Sequence, residues 1–171
     1  MAEMFAGHRY EPDTVVTLPD SVAERFHSLA SMLQAFELDP EALEYCQHAL
    51  HELEDVYKNV VFFSQQHDPV LEVGQIWRWS VTISTGFLRL VQARIAPALI
   101  VMGYFAAATT AIRTAWYTEN WGAYTLHGIQ QELEPQHRHW LDWPVEHAAR
   151  HLDILGVELP EDDGRRPLIG F

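Results

Sequence analysis

The chain is 171 residues long, with 11 Lys and Arg against 24 Asp and Glu and a formal net charge of −13 with histidine neutral. At 48% hydrophobic, 12% aromatic and 20% charged, it has the composition of one globular domain, which excludes extensive disorder. The acidic balance repels phosphate backbones and the basic residues are scattered, so direct nucleic-acid binding and an anionic-membrane footprint are excluded as well.

Residues 1–19, with Pro12, Pro19 and a short Val15-Val16 run, show no sustained period and are expected to form an N-terminal arm over the surface. Met1 to Tyr10 carries Glu3, His8 and Arg9 and no apolar stretch of signal-peptide length, so the protein is expected inside the cell, in the cytoplasm or nucleus. A helix follows. Ser21 and Glu24 make a capping-box pattern, and Val22, Phe26, Leu29, Leu33 and Phe36 repeat at helical spacing to an end near Leu38. Asp39 before Pro40 then opens a second helix, with an N-cap side chain followed by a ring that lacks an N–H the first turn would not use.

In the second helix Leu43, Cys46, Leu50, Leu53, Tyr57 and Val60 fall on one stripe, while Glu41, Glu44, Glu52, Glu54 and Asp55 with His48 and His51 face solvent. Asp68-Pro69 ends it. The stretch Val70 to Trp79, with Gly74 inside, is expected to be irregular, its Trp77-Arg78-Trp79 packing as an aromatic plug. Ser84 caps a helix to about Ile95 with Phe87, Leu88 and Val91 inward, and Pro97 opens a long apolar helix to about Trp116, the two forming a hairpin. Ile95 to Ile112 is an uncharged run between Arg94 and Arg113, close to the shortest bilayer span. Its alanines, Gly103, Pro97, Thr109 and Thr110 make it only moderately apolar, so a buried core helix is expected and no membrane. Trp121-Gly122 begins a helix to about Leu133, Pro135 interrupts, and Pro144 stands in the first turn of a last helix with Val145, Ala148, Ala149 and Leu152. These elements predict an all-α fold, a single-domain bundle of about six helices around a long central apolar helix. The helical domain of ligand-binding type spans 20–155 and a polar tail spans 156–171.

Cys46, the one cysteine, excludes an intramolecular disulfide and a cysteine-based zinc site. Three histidine pairs have workable spacings: His48 with His51, His137 with His139, and His147 with His151. Glu146 precedes His147 instead of following it, so the zinc-protease pattern is absent; these read as surface histidines, with no metal and no cofactor expected. No Gly-x-Ser-x-Gly elbow and no phosphate-binding glycine loop occurs. What stands out is the aromatic load along and after the central helix. Met102, Phe105, Trp116, Tyr117 and Trp121 are the candidates to line a pocket for an apolar molecule, with Tyr104 and Tyr124 among them.

The order Trp77-Arg78-Trp79, Phe87-Leu88-Arg89-Leu90, Ala96-Pro97-Ala98-Leu99-Ile100-Val101-Met102-Gly103-Tyr104-Phe105, Trp116-Tyr117-Thr118-Glu119-Asn120-Trp121-Gly122 and His139-Trp140-Leu141-Asp142-Trp143-Pro144 spans about residues 40 to 152. Over that length the chain resembles the C-terminal regulatory domain of fungal zinc-cluster transcription factors of the sterol-uptake-regulator type. The resemblance implies an all-helical sensor whose hydrophobic pocket holds a sterol and gates transcription. The family's DNA-binding module needs a cluster of cysteines and a basic linker, and here Cys46 stands alone. An isolated regulatory part and a free-standing protein that kept the fold both fit.

Three functions are open at this point. One is a module binding a sterol-, terpenoid- or polyketide-like molecule. Another is a cofactor-independent cyclase, isomerase or dehydratase of fungal secondary metabolism, with Tyr104, Glu119, Tyr124 and His127 as its acid and base groups. Glu119 also reads as a carboxylate offsetting a helix N-terminus. The last is a scaffold that dimerises with itself or with a fungal regulator through the stripe of the second helix.

Overall fold

A computed structural model of the chain describes residues 16–64, 73–110 and 121–149, and among these every regular element is helical. The first helix, α1 (Asp20–Ala35), starts two residues before the capping box would place it, with Pro19 and not Ser21 at the N-cap. Pro19, with φ −52° and ψ 142°, supplies no side-chain cap, and its carbonyl accepts from the N–H groups of Val22 and Ala23 at 2.9 Å each. The ring fixes the entry angle, so Ser21 lies inside the first turn and Asp20 provides the negative charge there. α1 ends at Ala35 and not near Leu38, because Phe36 turns extended and lays its ring 5.1 Å from that of His137.

Asp39 does cap α2 (Pro40–Ser64), its Oδ1 accepting from Ala42 N at 2.9 Å. Cys46, Leu50, Leu53 and Tyr57 are buried along its stripe and Leu43 is half-buried, packed against α1, α3 (Val73–Thr82), α4 (Thr85–Gln92) and α5 (Ala96–Thr109). The described part of the stripe thus packs largely inside the chain, with Leu50 bordering an open cleft toward α1.

The irregular stretch expected over 70–79 is helical from Val73 onward. Gly74 occupies the first turn, where nothing approaches it, and Ile76 and Trp79, three positions apart, both point into the core. Packing against α2 overrides the glycine, and the Trp79 indole N–H donates to Ala49 O at 2.8 Å. The aromatic packing is as expected and the irregularity is not.

Ser84 caps α4, its Oγ accepting from Phe87 N at 3.0 Å. α4 stops at Gln92, short of Ile95. Arg94 adopts a left-handed φ of 59°, Arg94 N donates to Val91 O and Ile95 N to Leu90 O, both at 3.0 Å, and the helix closes. Phe87 faces inward as expected and Val91 is half-buried, but Leu88 is 38% exposed. The axes of α4 and α5 are bent by 106°, a corner and not a hairpin.

α5 is central but not long: it has 14 residues against 25 for α2. The Thr109 and Thr110 hydroxyls donate to Ala106 O and Ala107 O, three residues back, and tighten its last turn. Residues 111–116, where its end was expected, lie outside the described residues. It contacts every other described element, and all its residues from Pro97 on are buried except the half-buried Met102. α6 (Trp121–Glu132) follows, then a 3-10 segment, Pro135–Leu141, and α7 (Asp142–Ala149) with Pro144 in its first turn. Among the described residues no single helix is long and apolar enough to cross a membrane. Of the expected arm only Val16 to Pro19 is described, with Leu18 buried; Leu152 and the tail 156–171 lie outside the described residues.

Candidate functional site

The aromatic load gathers where α3, α5 and α6 meet. Phe105, fully enclosed on α5, is its centre. The Trp79 ring stacks on Phe105 with centroids 4.3 Å apart, and Phe87 of α4 sets its ring against Trp79 at 5.7 Å. On the other side Trp77 meets Phe105 edge to face at 5.6 Å, and Trp121 of α6 closes on Phe105 at 5.9 Å and on Trp77 at 5.0 Å. These spacings are those of a well-packed aromatic core. Trp77 and Trp121 form its outer edge and are only half-buried.

The close approach of α5 and α6 depends on small residues. A Cβ on Gly122 would run into Ala106 O, Thr109 Oγ1 and Thr110 Cγ2, and one on Gly103 would meet Leu141. Two glycines therefore let α6 and the 3-10 segment lie directly on α5.

Of the expected pocket residues, Phe105 and Trp121 lie in this junction and Met102 packs half-buried against the core. Trp116 and Tyr117 lie outside the described residues, as does Glu119. Tyr104 is 3% exposed, stacked on Trp143 of α7 at 5.5 Å, and its backbone carbonyl accepts from the Tyr57 hydroxyl at 3.2 Å. Burial pushes its phenol up to about 12, so it stays protonated at neutral pH. Tyr124 is 82% exposed, and His127, also exposed on α6, pairs with Gln131 Nε2 at 2.9 Å. Tyr104 belongs to the core while Tyr124 and His127 belong to the outer surface, so the described members of the acid and base set do not converge.

Trp77 was missed as a site residue. Its neighbour Trp79 lies two positions on, about 200° around a helix, so the pair separates into one core ring and one edge ring only when the segment is helical.

Away from this packed junction, an open cleft of about 350 Å³ lies between α1 and α2, with Phe26, Leu33 and Leu50 at its floor and Gln34, Gln47 and His51 on its rim. Glu54 at its end is held by Lys58 at 2.9 Å. Cys46 is buried, which pushes its thiol up to about 11 and leaves it un-ionised at neutral pH. Among the described residues no three His, Cys, Asp or Glu side chains gather as metal ligands. No family model matches the chain, and no curated protein and no solved structure matches it.

Proposed function

We propose that this protein is a helical module that binds an apolar small molecule of sterol-, terpenoid- or polyketide-like character, in the manner of the regulatory domains it resembles. The observation that carries this reading is the Trp77–Trp121 edge: two half-buried indoles 5.0 Å apart, tilted by 60°, beside the enclosed Phe105. A ligand lying against that edge removes large aromatic faces from water without disturbing the packed rings behind them. Among the described residues, Tyr104, Tyr124 and His127 do not converge as an acid and base set that would favour the enzyme alternative. The proposed setting is intracellular, with transcriptional output supplied by another polypeptide.

Native mass spectrometry of the protein purified from its own host tests the reading. A retained lipid-like mass, lost from Trp121→Ala and kept in Phe26→Ala, is the expected outcome. Phe26 is the control because it is a buried aromatic of α1 that packs on Tyr57, away from the junction. Loss of the bound mass in proportion to lost stability in both variants would make the junction ordinary core.

A further inference from the structure

We infer that the cleft between α1 and α2 is a docking groove for a basic amphipathic helix of another protein. It shares no residue with the Trp77–Trp121 edge and stands apart from the reading of that edge. Its lining repeats at helical spacing on both walls, from Phe26 to Gln34 on α1 and from Gln47 to Glu54 on α2, so it runs about two turns, roughly 11 Å, along the pair. Phe26, Leu33 and Leu50 form an apolar floor, and the exposed Ala30 and Gln47 flank it from the two helices. The cleft is open to solvent. A compact ligand would keep much of its own surface in water there, whereas a helix lying along the groove covers the floor with one apolar stripe.

Charge selects the other face of the occupant. α1 carries Asp20 and Glu24 against Arg25, and α2 carries five carboxylates against Lys58. By contrast, α3, α4 and α5 carry Arg78 and Arg89 and no carboxylate, so the acidity is concentrated on the helices that form the groove. At the end of the groove Lys58 lies 2.9 Å from Glu54 and 3.7 Å from Asp55, one ammonium between two carboxylates. A lysine or arginine arriving beside them meets a net negative charge. A second copy set groove to groove would bring the same carboxylates against each other, and an anionic lipid surface is repelled, so a cationic partner is the one that gains.

The test titrates the full chain with a fluorescently labelled peptide of leucine and lysine whose leucines repeat at three and four. Two counterparts accompany it, one with glutamate in place of lysine and one of the same composition in an order that gives no apolar stripe. The first peptide is expected to bind at least about tenfold more tightly than either counterpart. Gln47→Arg and Ala30→Arg, each setting a cation over the groove from an exposed position, should weaken it about tenfold. Gln92→Arg, the same charge change at the exposed end of α4, should leave it as it was. If one groove variant fails to fold, the other decides. Equal binding of the reordered peptide, or an equal loss in Gln92→Arg, would mean diffuse charge attraction and overturn the inference, as would no binding at all. A dimer of the chain that Gln47→Arg dissociates would give the groove to a second copy and overturn it too.

Discussion

At Gly122 a single hydrogen atom stands between α6 and the backbone of α5. Gly122→Ala would place a methyl group against Ala106 O and Thr109 Oγ1, neither of which is a flexible side-chain end. We expect it to cost on the order of 1–3 kcal/mol, seen as a lower denaturant midpoint. Gly128, on the same helix, is exposed with nothing within 4 Å of a new Cβ. Gly128→Ala should therefore stabilise, by up to about 1 kcal/mol, since it removes unfolded-state freedom without a clash. The buried acids make a further test. Burial raises the Cys46 thiol from 9.0 to about 11 and the Tyr104 phenol from 10.0 to about 12, and raises that of Tyr57 as well. Above pH 9 the unfolded chain releases protons that the native chain still holds, so stability falls as pH rises, progressively up to about pH 12. Denaturant unfolding across that range should show the decline; a flat profile would place these groups in water.

Among the elements, the starts that depend on local chemistry were legible. Asp39-Pro40 and Ser84 cap the helices they were expected to cap, and Pro97 and Pro144 stand in helical first turns as expected, whereas Pro135, expected only to interrupt, opens the 3-10 segment. The Ser21 pattern was local too, yet Pro19 next to it dictated a different start. What the sequence hid was tertiary. The helical state of α3 depends on docking Ile76 and Trp79, and the corner after α4 depends on Arg94 taking a conformation that glycine usually supplies. The site was legible in the same degree: Phe105 and Trp121 belong to the junction, while Tyr124 and His127 lie on the wrong face of α6 because helical phase, not residue type, decides who points inward. Phase also separates two leucines of α2. Leu53 is wholly enclosed, whereas Leu50 borders the open cleft toward α1. Both truncations to alanine should fall in the range of about 2–5 kcal/mol, with Leu53→Ala near the top because its cavity would be sealed and Leu50→Ala near the bottom because its site opens to water. Equal losses in thermal unfolding would mean the cleft closes in solution.

At the scale of the whole molecule, the layout is a hub and its wrapping. α5 is covered almost throughout and touches every other described element, while Arg94 ties the corner after α4 to α6 through Glu132 at 2.8 Å. An exposed pair of this kind contributes little by itself. The hub has a different consequence, one for the clock of the protein in heavy water. No wrapping helix can leave alone and bare all of α5, so its backbone amides should trade hydrogen for deuterium only when the entire molecule opens, at a rate set by the global unfolding equilibrium. The amides of α4 and α7, eight residues each on the periphery, should trade through local opening well before that. Mass spectrometry of peptic fragments after timed labelling would then show one slow island spanning Leu99 to Thr109 within faster surroundings.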